Sequence, residues 1–206
     1  MRRLFLIAIV SVVALTACNN SDKPSEDNFR KVINEYFAKH GKVCTSIGRQ
    51  FPIDVSESEL KTRSGTATQM ATLEAAGLVH SSNTIATIPG IMAPTAPIPV
   101  RRYELTEEGK KYFQQLPGNL GQTTGFCYGE KTVDSIVKWT EPMTMGSYSQ
   151  TEVTYTYKIK NLASWAERSD VQRAFWDIGT TVDGTSKSNQ IVGLQLMNHG
   201  WEVLGQ

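Results

Sequence analysis

Val153-Thr154-Tyr155-Thr156-Tyr157-Lys158-Ile159-Lys160 alternates apolar and polar side chains without a break. Successive side chains of a strand point to opposite faces. This period of two therefore predicts a half-buried strand, with Val153, Tyr155, Tyr157 and Ile159 inside and the threonines and lysines facing water. Its β-branched and aromatic residues suit a pleated surface. Weaker copies of the pattern flank it. Residues 131–140 carry Val133, Val137 and Trp139; Val192, Leu194 and Leu196 mark a third strand, and Trp201 with Val203 a fourth. Asn198-His199-Gly200 joins the last two as a tight hairpin. Within 161–177, Ser164-x-x-Glu167 and Ser169-x-x-Gln172 have the spacing of capping boxes. They predict two short helices that carry Trp165, Phe175 and Trp176 onto the sheet. Residues 123–206 thus read as an antiparallel sheet with short helices.

The period changes toward the N-terminus. Over 25–39, Phe29, Val32, Ile33, Tyr36 and Phe37 fall at i, i+3, i+4, i+7 and i+8, the apolar stripe of a helix that buries one face. Glu26 and Asp27 in its first turn and Lys39 near its last match the helix dipole, and Gly41 is placed for a left-handed stop. Ser56-x-x-Glu59 fits a capping box. A further helix is expected over 66–76, with Met70 and Leu73 inward and Gly77 as its stop. Residues 78–80 read as a short strand and 81–99 as a long loop or hairpin tip containing Pro89, Pro94, Pro97 and Pro99. A strand over 100–105 follows, then a helix from Thr106 as N-cap to about residue 115. Residues 117–122 form a linker or turn cluster.

The order helix, helix, Leu73-Glu-Ala-Ala-Gly-Leu-Val79, loop, Tyr103-Glu-Leu-Thr-Glu-Glu-Gly109-Lys-Lys-Tyr112 resembles the winged-helix part of small bacterial transcription regulators, over residues 25–116. The sequence departs from the DNA-binding pattern, because no Lys or Arg lies between Arg63 and Arg101. Phosphate neutralisation supplies most non-specific DNA affinity, so this surface is expected to act without nucleic acid. Arg101-Arg102 reads as a solvated strand end. The expected fold class is α+β, a winged-helix-like helical part (25–116) packed with an antiparallel sheet part (123–206). Through Tyr157, Trp165-Ala166, Phe175, Leu196 and Gly200-Trp201 the sheet part resembles domains of uncharacterised bacterial lipoproteins, a likeness that implies no activity.

The first residues read as an address. Arg2-Arg3 is a short positive region, and residues 4–15 are apolar apart from Ser11. Twelve helical residues span ~18 Å, too short for a hydrocarbon core of ~30 Å. The run is therefore a signal-peptide core rather than a membrane span. Leu15-Thr16-Ala17-Cys18 follows and resembles a lipobox, the processing signal of bacterial lipoproteins. The resemblance implies removal of residues 1–17, a diacylglyceryl thioether and an N-acyl chain on Cys18, and a lipidated tether over 18–24. Asn19, where an Asp would signal inner-membrane retention, implies the outer membrane facing the periplasm for a Gram-negative source.

Lys and Arg number 21 against 20 Asp and Glu, with 40% hydrophobic and 20% charged residues. That balance fits a folded protein and excludes a nucleic-acid binder driven by bulk charge. Cys44 and Cys127 remain once Cys18 is lipidated, and an oxidising compartment favours a disulfide between them. The competing reading is a metal site of His40, Cys44 and Cys127, for which no fourth ligand is evident. His40, His80 and His199 show no ligand spacing. Ser58-x-x-Lys61 and Ser135-x-x-Lys138 match the opening motif of penicillin-interacting enzymes, but the companion Ser-Asp-Asn and Lys-Thr-Gly elements are missing. Asp54, Glu57 and Glu59 cluster at a helix start, where dipole stabilisation accounts for them. The late aromatics suit a sheet core better than a sugar or peptide groove.

No cofactor or metal is expected. The leading expectation is a lipid-anchored, non-enzymatic envelope protein that binds or assembles a partner, through the apolar, charge-free loop 81–99 (Ile85, Ile88, Ile91, Met92, Ile98). The alternatives are a cell-wall or glycan-modifying enzyme and a small-ligand or toxin-neutralising protein.

Overall fold

The computed structural model describes residues 20–63, 65–87, 96–118, 121–146 and 148–205. The signal segment and Cys18 lie outside them. The Phe29 stripe forms helix α1 (Glu26–His40), started by Ser25, whose Oγ accepts from the Asn28 N–H. Gly41 ends it at φ −85°, a right-handed conformation and not the left-handed stop expected. Its glycine is needed for space, because a Cβ there would collide with the Phe37 carbonyl oxygen. Next come β1 (Lys42–Ser46), β2 (Ile53–Ser56), α2 (Glu57–Lys61), α3 (Gly65–Ala75), β3 (Val79–Ala86), β4 (Ile98–Leu105), α4 (Glu107–Tyr112) and β5 (Phe113–Gly118). β6 (Gly121–Trp139), β7 (Met143–Met145), β8 (Tyr148–Lys160), α5 (Ser169–Ala174), α6 (Trp176–Asp183), β9 (Gln190–Met197) and β10 (Gly200–Val203) complete the chain.

The fold is α+β and rich in strand. A seven-stranded antiparallel sheet runs β1-β6-β8-β9-β10, with β5 also on β6 and β7 also on β8; β2-β4-β3 form a separate three-stranded sheet. Strands 121–130, 42–46 and 113–118 are absent from the sequence reading: the first is rich in Gly and Thr, and the other two are short, with few apolar residues to mark a period of two. The β5–β6 pairing runs to Gly118↔Gly121, so the chain turns back on itself at 117–122 rather than parting there. α1 and β1 precede that point yet lie on and within the sheet of the later strands. The small unit of β2, α2, α3, β3 and β4 has no first helix of its own, because α1 packs on the large sheet.

Two cores result. In one, α1 buries Phe29, Val32 and Ile33 against Val133, Val153, Tyr155, Leu194 and Trp201. Phe29 meets Trp139 and Trp201 edge-on, each at 5.4 Å between ring centroids. In the other, Met70 and Leu73 of α3 meet Ile53, Val55 and Tyr103 from the small sheet, Phe126 and Tyr128 from β6, and Trp165, Phe175 and Ile178 from the late helices. Ile159 packs against both cores.

Several expectations change in detail. Thr154 and Thr156 are buried, with 8% and 7% of their surface exposed. They are short residues in a central strand, and Thr154 lies between Lys138 and Ile191 across the ladders. The predicted long loop begins much later than expected. Pairing from Val79↔Leu105 to Ala86↔Ile98 makes both ends of 81–99 strand. Pro99 is tolerated because β2 reaches only Val100, leaving an edge there. Residues 88–95, with Ile88, Ile91 and Met92 of the proposed contact loop, lie outside the described residues. The helices near 161–177 form, but Ser164 and Ser169 cap neither of them, since Ala163 and Arg168 hold the N-cap positions. Trp165 and Phe175 are buried as expected, whereas Trp176 is 76% exposed. The helix expected from Thr106 to about residue 115 stops at Tyr112, where β5 takes over. No described helix is long and apolar enough to cross a membrane.

Cys44 lies opposite Cys127 across β1 and β6 and is bonded to it, closing a separation of 83 residues. The bridge staples the base of the whole small unit. Loop-closure entropy sets a ceiling of about 4.5 kcal/mol on its contribution. The Cys44→Ala/Cys127→Ala chain is expected to lose about 2–4 kcal/mol in urea denaturation, below that ceiling because residual structure in the unfolded chain reduces it. Among the described residues the Tyr103 hydroxyl and the Trp165 indole N–H are buried without a partner. A buried hydroxyl without a hydrogen bond costs stability, so Tyr103→Phe should raise the unfolding free energy by about 1 kcal/mol, read in the same titration.

Candidate functional site

A cavity of about 760 Å³ opens where β2 and the start of α2 face the loop end of the β3–β4 hairpin. Arg49, Asp54, Ser56, Ser58, Glu59, Thr87 and Ile98 are among its lining residues. Local sequence builds its polar wall. Ser56 caps α2 with the reciprocal bonds the Ser56-x-x-Glu59 spacing predicts: its Oγ accepts from the Glu59 N–H, and Glu59 Oε2 accepts from the Ser56 N–H at 3.0 Å. Arg49 closes the other side, with Nη2 2.8 Å from Glu59 Oε1 and Nη1 donating to the Asp54 carbonyl at 3.3 Å. Behind it, Arg102 grips Asp54 in a fork, Nε to Oδ1 at 2.7 Å and Nη2 to Oδ2 at 2.8 Å.

This electrostatic arrangement is self-contained. The Arg102 hydrogen bonds and charge hold the Asp54 carboxyl below its ordinary range, against a smaller upward push from burial. Burial pushes Glu59 up, but the Ser56 N–H and the Arg49 guanidinium outweigh it and leave that carboxyl lowered as well. Two ionised carboxylates already bonded to arginines make poor proton acceptors near neutral pH. Arg102, expected as a solvated strand end, is a structural partner; sequence gave no signal for it, because the pairing crosses from β4 to β2.

The other residues singled out in the sequence stay apart. Ser58 Oγ bonds Ser56 Oγ at 2.9 Å, while Lys61 pairs with Glu57 at 3.3 Å, so the first Ser-x-x-Lys holds no serine–lysine contact. Ser135 bonds Thr156 at 2.8 Å on a strand, where three residues do not make a helical turn. His40 stacks on Tyr36, His80 lies 3.5 Å from Glu104, and His199 sits at the β9–β10 turn. The sulfurs of Cys44 and Cys127 are joined, so neither is a thiolate for a metal. Among the described residues no group of three or more His, Cys, Asp or Glu could hold a metal ion. Sequence reasoning missed Lys131, whose Nζ lies 4.5 Å above the Tyr157 ring and whose ammonium is held below its usual range by burial.

Compared with known protein families, with curated proteins and with solved structures, the chain matches none.

The Asp54–Arg102 fork has a pH signature. Asp54 has a lower pKa in the folded chain than its unfolded value near ~3.9. Its contribution to stability is therefore complete above that value and is lost as the pH falls through the folded one. Urea midpoints measured from pH 6 down to pH 2.5 should fall along this limb. Arg102→Ala should lower the plateau above pH 5 and flatten the limb, because Asp54 then titrates near its unfolded value.

Proposed function

We propose that the protein is a lipid-anchored envelope protein, attached through Cys18 to the outer membrane and facing the periplasm, which binds or assembles a partner rather than catalysing a reaction. One observation carries this reading: the charged start, short apolar run, Thr16-Ala17 and Cys18 fall in the register of a lipobox. A single acyl chain binds a bilayer only marginally, at ~0.8 kcal/mol per buried CH₂, while several chains on one residue make attachment stable. The Cys44–Cys127 disulfide supports an oxidising compartment. The non-catalytic part of the reading draws on the mutual pairing of Arg49, Glu59, Asp54 and Arg102 in the cavity.

We read the small unit as a winged-helix-like scaffold that works without nucleic acid. The strand order β2-β4-β3, with α2 and α3 between β2 and β3, supports this, as does the lack of Lys and Arg between Arg63 and Arg101. Its hairpin end, where Ile85 is 69% exposed, is the proposed partner contact.

Growth with an alkyne-bearing fatty acid and isolation of the full chain should place the label on the peptide that begins at Cys18. Cys18→Ser should lose the label and leave the membrane fraction. An unlabelled, unmodified Cys18 in the membrane-bound native protein would overturn the reading.

A further inference from the structure

The 3-10 turn Asn20–Asp22 is folded onto the large sheet rather than trailing from it. Trp201 Nε1 donates to the Asp22 carbonyl at 3.2 Å, and Asn28 Nδ2 donates to the Lys23 carbonyl at 2.9 Å. Ser21 lies against Gly200 so closely that a Cβ there would stand 3.1 Å from the Ser21 Cβ. Residues 20–24, expected as a polar tether, belong to the body. Cys18 is two residues before Asn20, and an extended chain spans at most ~3.6 Å per residue, so covalent geometry keeps its Cα within about 7 Å of that of Asn20.

The sheet ends at the same place in an apolar rim. Met143 pairs with Gln150 and Gln150 with Gln195, while Ser149 pairs with Leu196 and sets Tyr148 beside Met197. Met143, Tyr148 and Met197 are 70%, 53% and 43% exposed, on the face opposite α1. Tyr148, Met197 and Asn198 share one shallow depression with Asp22 of the turn. The anchor point and the rim are therefore one end of the molecule.

We propose that this rim is a membrane-contact surface, with Met143, Tyr148 and Met197 seated at the headgroup boundary of a zwitterionic phospholipid bilayer. The inference rests on the reading of Cys18 as lipidated. With only Cys18 and Asn19 between the acyl chains and the folded body, the body has no room to stand off, and the end that carries the turn must face the lipid. Tyrosine, with an apolar ring and a polar tip, is suited to that boundary, and methionine adapts to an irregular one. Charges of both signs stand near the rim, Asp22 beside Lys23 and Glu141 ahead of Met143, with no basic cluster, so the surface is matched to neutral headgroups rather than anionic ones. A two-residue tether gives a high effective concentration, so contacts too weak to recruit a free protein hold a tethered one in one orientation.

Hydrogen exchange read by mass spectrometry tests this on the lipidated full chain in phosphatidylcholine nanodiscs, against soluble Cys18→Ser. Amides of Met143 to Gly146 and Leu196 to His199 are expected to exchange several-fold more slowly on the discs. Those around Trp176 are expected to be unchanged, and the difference should persist in high salt. A Met143→Gln/Tyr148→Gln/Met197→Gln chain should stay on the discs through its lipid and lose that protection. Equal exchange at the rim in attached and soluble protein overturns the inference while leaving the anchor intact. Protection that also appears in lipid-free samples as concentration rises assigns the rim to a second copy and overturns it too. If the wild-type chain carries no lipid and does not associate with discs, the anchoring reading fails instead, a result read from attachment and not from exchange.

Discussion

A buried strand must find a partner for every backbone N–H and C=O, and β6, with 19 residues, has the most to find. It meets the demand with β1 along one edge and with β5 and then β8 along the other. Side chains alternate along it, so Phe126 and Tyr128 serve one core and Val133, an odd step further on, the other, and the ladder with β8 turns irregular only beyond Val133. Without β6 the α1 face has no sheet to cover and the small unit has no floor. The disulfide sits on this strand, where the chain leaves for the small unit and where it returns.

The molecule that follows from this strand has a fixed and a variable end. Between β1 and β5 the chain makes an excursion of its own, with a separate sheet and short helices. Two ion pairs tie that excursion together, Arg49 with Glu59 and Arg102 with Asp54. They hold β2, β4 and α2 together, and Ile85 stands exposed near the far end of its hairpin. At the other end the start of the folded chain is bound to β10. An anchor on Cys18 would turn that attachment into an orientation, presenting the excursion away from lipid.

Legibility in the sequence followed the range of the physics involved. The α1 stripe, the Ser56 box, the Met70 and Leu73 face and the Val153–Ile159 alternation were all readable, because each depends on neighbours a few residues away. Gly77 too was readable as a helix stop, and its φ of 77° bears that out. β1 and the first half of β6 were not, since they become strand through partners tens of positions distant, and β5 was not, since Phe-Gln-Gln-Leu-Pro-Gly carries no period of two. Ser164 and Ser169 show the limit of a local motif: the spacing was present, but the chain entered each turn at Ala163 and Arg168 instead. Of the candidate site, the Ser56–Glu59 half was legible and the arginines were not, because nothing local joins Arg49 to Glu59 or Arg102 to Asp54.

The sequence alone determined the elements whose hydrogen bonds and apolar faces close within one helical turn or one strand. It also placed two further cysteines, Cys44 and Cys127, beyond Cys18 and a near-even balance of acidic and basic residues. Only the tertiary structure decided that α1 belongs to the large sheet, that the small unit is an insertion stapled at its base, and that Asp22 lies beside Tyr148 and Met197. Ladder pairing and core packing join residues by shape and burial rather than by spacing, and a periodicity carries no information about which distant surface will cover it.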